Sequence, residues 1–316
     1  MSSTAANDRR SRLVFVVAWL AIWLAQVLPA RVIADDALDP SWSQALGRFL
    51  AQGLKIGVDY VFTYGPLGWF STNVDEPSLF WHKLLAWEVV WRLAASWFVA
   101  RALWQAPGRV ERAAAVLLVV FVPLLFDAWA FAVIAAVCSV LAAEERPRLA
   151  LRTLGLALLA SLALVKFTFA AAAGVCVLAL AFDSLRRAGA RAALADLGLC
   201  LASGLALWFA AGQGLANLWP WLQNSLRIAS AYNEGESKPA GALQNVIGLA
   251  ALGLCWASLA HWALVRPRRG ERAALALALG GACFFGFKAG WVRGDDHTTY
   301  FAELDSPMPD CSPFGD

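Results

Sequence analysis

Seven apolar runs dominate the chain, at about 13–30, 80–104, 113–143, 153–182, 193–212, 243–264 and 273–290. A helix needs about 20 residues to cross the hydrocarbon of a bilayer. Most of the runs therefore have the length of one span. Those at 113–143 and 153–182 are too long for one upright helix and short for two full ones, and each carries a charge near its middle, Asp127 and Lys166. The chain is 60% hydrophobic and only 16% charged, with 16 Trp in 316 residues and a mean hydropathy of +0.58. Soluble domains are nearer half apolar and a quarter charged. The fold class expected is all-α, a polytopic transmembrane helix bundle over residues 1–301, followed by an irregular tail over 302–316.

The charges decide how the two long runs fold. Segments 1–12, 105–112, 144–152, 183–192 and 265–272 hold 15 of the 26 Lys and Arg. Segments 31–79, 213–242 and 291–316 hold six, but 14 of the 23 Asp and Glu. The positive-inside rule places the first group, with the N-terminus, in the cytoplasm and the acidic group outside an inner (plasma) membrane. Segment 144–152, with Arg146, Arg148 and Arg152, lies inside only if both long runs are helical hairpins. Asp127 and Lys166 then sit near the outer tips. About nine spans result. The alternative is seven, with two long tilted helices that leave every other loop on the same side.

Several other features bound the reading. The net charge of +3 is scattered through short loops, which excludes a nucleic-acid partner. Trp and Tyr cluster near the expected span ends, as an interfacial belt requires. Cys138, Cys176, Cys200, Cys255 and Cys283 fall in apolar segments without CxxC spacing and read as small buried hydrophobes. Val32-Ile33-Ala34 looks like a signal-peptidase site. Yet the preceding run is long, and Pro29 and Arg31 interrupt the approach, so an uncleaved first helix is expected.

The first external segment carries the most chemistry. It opens on the acidic pair Asp35-Asp36, which can share general-base and cation-paired roles, or hold a divalent cation (Mg or Mn) at the membrane surface. Asp39 is placed as N-cap and Pro40 as first residue of a helix stopped by Gly53. Trp42, Ala45, Leu46, Phe49 and Leu50 share a face, so this interfacial helix should lie flat with its Trp and Phe dipped into the bilayer. Asp59 to Gly68 follows. Tyr60, Phe62 and Tyr64 alternate as on a strand, and Gly65-Pro66 and Gly68 dictate a tight turn. Asp59, Tyr60 and Tyr64 are candidate substrate contacts, because aromatic faces suit sugar or prenyl stacking and phenols suit phosphate or hydroxyl groups.

A second cluster follows the last run: Lys288, Arg293, Asp295, Asp296 and His297. Arg293 can grip a phosphate bidentately, and His297 beside Asp295 and Asp296 can serve as base or metal ligand. Asp127 and Lys166 are intramembrane charges, which are functional candidates by default. Glu88 and Arg92, four apart, read as an ion pair. Segment 213–242, with Trp219-Pro220-Trp221, reads as a further external loop that binds an acceptor or caps the bundle.

These residues resemble the GT-C superfamily of membrane glycosyltransferases. The resemblance rests on Asp35-Asp36 just after the first helix, the surface helix, the Thr63-Tyr64-Gly65-Pro66-Leu67 turn, and Leu162-Ala163-Leu164-Val165-Lys166-Phe167. It implies transfer of a sugar from a polyprenyl-phosphate carrier to an external glycan or lipid acceptor. It further implies that Asp35 or Asp36 is the base and that Lys166 and Arg293 bind the carrier phosphate. The chain departs from that pattern in having fewer helices and no soluble external domain. Its Pro-rich end looks like a truncated or frame-shifted terminus. The competing classes are a transporter or flippase, which predicts internal repeats around a midplane site, and a non-catalytic membrane protein or fragment.

Overall fold

The computed structural model describes residues 2–27, 38–105, 108–121, 126–144, 148–235 and 242–265, with 276, 279–281, 283 and 284. Among these residues the protein is all-helical. Helices α1 (Ser2–Gln26) and α2 (Leu38–Ala51) precede an irregular segment with short 3-10 turns at Gly68–Ser71 and Pro77–Leu79. One turn, α3 (Phe80–His82), leads through a π-helical stretch at Lys83–Trp91 into α4 (Arg92–Leu103). Then come α5 (Arg109–Phe121), α6 (Phe126–Ala143), α7 (Leu149–Ala163), α8 (Phe167–Ala188), α9 (Ala190–Ala210), α10 (Leu215–Gly235) and α11 (Ala242–Val265). By length and composition α6, α8 and α9 can cross a membrane, at 18, 22 and 21 residues.

Each long apolar run is two helices, as its central charge suggested. In the first, α5 ends at Phe121 and α6 begins at Phe126; the second breaks at Leu164–Lys166. The second break involves no Gly or Pro: Leu164 caps α7, and Lys166 is extended at φ −150° and ψ 139°. At 1.5 Å per residue α5 and α7 are about 20 and 22 Å long, so both are shorter than a full hydrocarbon crossing. Helix α4 packs on α1 and α6, while α7, α8 and α9 pack mutually and α6 joins the two groups.

Ion pairs mark one end of this bundle. Arg101 at the end of α4 meets Glu144 just past α6 at 3.8 Å, and Arg187 meets Asp183 at 2.8 Å near the end of α8. Arg152 in the first turn of α7 bonds to buried Asp196 of α9 and to Ser184 of α8. Asp127 and Lys166 pair at the opposite ends of these helices. That alternation is what a hairpin of α7 and α8 requires.

The span expected at 80–104 is not one regular α-helix. Its first half is π-helical, and this stretch places Glu88 and Arg92 inside the bundle. Their pair is confirmed, with Arg92 Nε 2.6 Å from Glu88 Oε2 and both side chains about as buried as the apolar core. The Trp residues expected in an interfacial belt divide by burial: Trp69, Trp87, Trp91, Trp129, Trp208 and Trp221 are buried, while Trp81, Trp219 and Trp256 are exposed. Several buried or half-buried indoles serve as donors: Trp23 Nε1 to Glu88 O at 3.1 Å, Trp19 Nε1 to Leu93 O at 2.9 Å, and Trp91 Nε1 to Ser161 Oγ at 2.7 Å. Indole offers apolar area and one N–H, which suits a core where carbonyls need extra partners. Cys138 and Cys176 are buried as expected, whereas Cys255 is exposed.

Candidate functional site at the Lys166 end of the bundle

Helix α2 begins at Leu38, one residue before the expected cap, so Asp39 and Pro40 lie in its first turn. It stops where expected. Gly53, at φ 70°, donates to Leu50 O, and Leu54 donates to Phe49 O, a Schellman closure. Its aromatic face is directed at the protein rather than at lipid. Trp42 stacks on Tyr64 at 4.8 Å and approaches Phe62 at 5.5 Å, while Phe49 meets Tyr60 at 4.6 Å. The alternation of Tyr60, Phe62 and Tyr64 was real, but its rings are spent on seating α2. Burial there pushes the Tyr60 phenol up to about 12, so it remains a neutral hydroxyl.

The Tyr64–Leu67 turn docks on the break between α7 and α8. Gly65 N–H donates to Val165 O at 2.8 Å, Leu67 N–H donates to Leu164 O at 3.0 Å, and Tyr64 pairs antiparallel with Lys166. A broken helix exposes carbonyls that hydrocarbon cannot solvate. The turn supplies their donors. A Cβ at Gly65 would lie 2.3 Å from Leu164 O, so this approach requires glycine.

Three predicted residues converge here. Lys166 Nζ lies 2.6 Å from Asp127 Oδ2, 5.1 Å from the centre of the Tyr64 ring and 5.8 Å from that of Phe169. The side chains of Lys166 and Asp127 are 20% and 36% exposed, which leaves the pair accessible. Asp127 stands in the first turn of α6, where a carboxylate is favoured, but Lys166 caps the N-terminus of α8, where a cation is not. Two positive helix ends and an ammonium thus face one carboxylate. The surplus is positive, and helix N-termini with a lysine are suited to an anion.

Asp59 sits apart from this cluster and holds a loop: its Oδ2 accepts from Lys55 N–H at 2.7 Å. Asp35, Asp36, Arg293, Asp295 and His297 lie outside the described residues. Among the described residues, no three His, Cys, Asp or Glu side chains are placed to hold a metal ion.

The stretch read as an external loop, 213–242, is largely helix α10. Its buried face consists of Asn217, Trp221 and Ser225, at helical spacing but with two of the three polar. Asn217 Nδ2 donates to Ile56 O at 3.2 Å and to Gln213 Oε1 at 2.8 Å. Gln213 Oε1 also accepts from Ile56 N–H at 3.1 Å, and Gln213 Nε2 donates to Leu54 O at 3.2 Å. Asn224 Nδ2 reaches Gly57 O at 3.2 Å, and Lys55 Nζ donates to Gly212 O. These amides hold the segment that supports Tyr60 to Tyr64, and sequence reasoning missed them. Asn217→Ala is expected to cost about 1–3 kcal/mol, because it strands buried amide groups. Thermal unfolding and proteolysis at residues 54–60 would read that loss. The chain matches no family model, no characterised protein and no solved structure.

Proposed function

We propose that the protein is a membrane glycosyltransferase that moves a sugar from a polyprenyl-phosphate carrier to an extracytoplasmic glycan or lipid acceptor. On this reading it spans the inner membrane about nine times, with a cytoplasmic N-terminus and the Lys166 cluster outside. The observation that carries it is the convergence of Lys166, Asp127 and Tyr64 with two helix N-termini at one accessible end of an apolar bundle. Chemically, a carrier phosphate leaves as an anion, and its developing charge is stabilised by fixed positive groups. Lys166 would bind that phosphate and exchange part of its pairing with Asp127 for it. Asp35 or Asp36, by the sequence resemblance, would deprotonate the acceptor hydroxyl.

The test is mass-spectrometric profiling of lipid-linked sugars and surface glycans in cells lacking the gene. These are compared with cells complemented at equal expression by wild type, Lys166→Ala, or Asp35→Asn with Asp36→Asn. A lipid-linked sugar is expected to accumulate in the deletion and clear only with wild type. Loss of one electrostatic donor costs roughly 100- to 1,000-fold in rate, and Lys166→Ala is expected in that range. Indistinguishable profiles would remove the transferase reading.

A further inference from the structure

The opposite end of the bundle carries a second charged surface. The five basic segments contain 15 Arg and no Lys, while all five lysines of the chain (Lys55, Lys83, Lys166, Lys238 and Lys288) lie elsewhere. Guanidinium differs from ammonium in offering a planar fork that binds phosphate bidentately. Within this set Arg152 is already consumed. It holds α7 to Asp196 of α9 and Ser184 of α8, and Asp196 is only 2% exposed. That clamp fixes the beginning of α7, the end of α8 and the beginning of α9 beside one another.

Three further arginines ride on the clamped ends. Arg148 caps α7, four residues before Arg152; Arg186 lies in the last turn of α8; and Arg191 lies in the first turn of α9. All three are exposed, and among the described residues none is in an ion pair. Arg186 rests over the Phe182 ring at 5.8 Å. Around them lie exposed Leu149 (71%), Leu194 (67%), Phe182 and Leu185. Positive groups directly beside exposed hydrocarbon match a ligand with a phosphate head and acyl tails.

We propose that Arg148, Arg186 and Arg191 form a binding site for the phosphate of an anionic phospholipid in the inner leaflet. This rests on the reading that the bundle spans the membrane with this end in the cytoplasm. The clamp through Arg152, Asp196 and Ser184 sets the spacing, so the lipid bridges three helix ends rather than coating a diffuse basic face. Bound there, it tightens the α7–α8–α9 group from the inner side while the outer ends of α7 and α8 carry Lys166.

The full chain would be purified into micelles containing equal phosphatidylglycerol and phosphatidylcholine, and retained lipid counted by native mass spectrometry. At about fivefold per basic residue near a membrane surface, three arginines predict roughly a hundredfold preference for phosphatidylglycerol. Arg148→Gln/Arg186→Gln/Arg191→Gln should abolish it, Arg186→Gln alone should reduce it about fivefold, and Arg48→Gln/Arg227→Gln should leave it intact. Undiminished preference in both the triple and the single variant would overturn the site. Displacement by free glycerol phosphate at matched concentration would also overturn it, in favour of a soluble anion. Sidedness is read separately by labelling Ala188→Cys, in a background without the native cysteines, with an impermeant maleimide. Labelling is expected only after lysis. Labelling of intact cells would overturn the inner-leaflet assignment and the proposed topology together, whatever the lipid count.

Discussion

Glu88→Ala is expected to destabilise the protein by about 3–5 kcal/mol, whereas Glu88→Leu combined with Arg92→Met is expected to be near neutral or stabilising. The asymmetry follows from burial. Arg92 is 2% exposed and lies inside a helical bundle, so removing its carboxylate leaves a guanidinium without a counter-charge where water cannot reach it. Replacing both residues removes the desolvation of two ions along with their attraction, and the volumes remain filled. The π-helical turns add a local stake. The carbonyl of Glu88 accepts the indole N–H of Trp23, so this stretch is tied to α1 as well as to its own side chain. Thermal unfolding of the purified protein in micelles, followed by near-ultraviolet circular dichroism, gives both numbers. Equal losses in the single and double variants would mean that the ion pair is itself net stabilising and that apolar side chains of similar volume do not replace it.

What the sequence revealed, and what it concealed, separates along physical lines. Charges inside apolar runs are costly, so Asp127 and Lys166 stood out, and each lies where its run breaks into two helices. Their pairing was not legible, because it depends on α6 and α8 packing side by side, which no local pattern encodes. The i,i+4 spacing of Glu88 and Arg92 revealed their bond, but nothing in Lys83–Trp91 announced a π-helix or the depth at which the pair lies. Tyr60, Phe62 and Tyr64 disclosed an extended segment by their alternation. The same rings suggested ligand stacking, and the structure instead spends them on Trp42 and Phe49. Helix α10 was missed for a definite reason. It presents Asn217 and Asn224 to the backbone carbonyls of Ile56 and Gly57, and its buried face includes Ser225, so hydrophobic periodicity was never going to register it. Pro220, inside the helix, strengthened the wrong reading. The candidate site was therefore legible as residue types and opaque as an assembly: Lys166 and Tyr64 were both singled out, yet their contact is made by backbone pairing across a helix break.

That pairing leads to the sharpest expectation for the Lys166 end of the bundle. Gly65→Ala places a methyl group 2.3 Å from the carbonyl oxygen of Leu164, a backbone atom that cannot rotate aside. Either the turn lifts away or the α7–α8 connection shifts. Lifting loses the hydrogen bonds to Val165 and Leu164, each worth about 0.5–1.5 kcal/mol net, and uncovers carbonyls at the end of α7. Overpacking of this kind ordinarily costs 1–3 kcal/mol, so a loss of about 3 kcal/mol is expected. Gly204→Ala serves as the comparison, since its methyl would meet nothing closer than the Ala160 Cβ at 3.9 Å, an ordinary van der Waals contact. Its cost should be smaller. Two readouts distinguish the variants: the thermal midpoint, and the rate of limited proteolysis between residues 53 and 79, which rises when the turn is unseated. If the turn carries Tyr64 to Lys166, Gly65→Ala should also impair the proposed transfer without changing a charged or aromatic residue of the cluster. Unchanged midpoint and proteolysis would show that residues 64–67 are not held against the helix break, and the cluster would lose the element that assembles it.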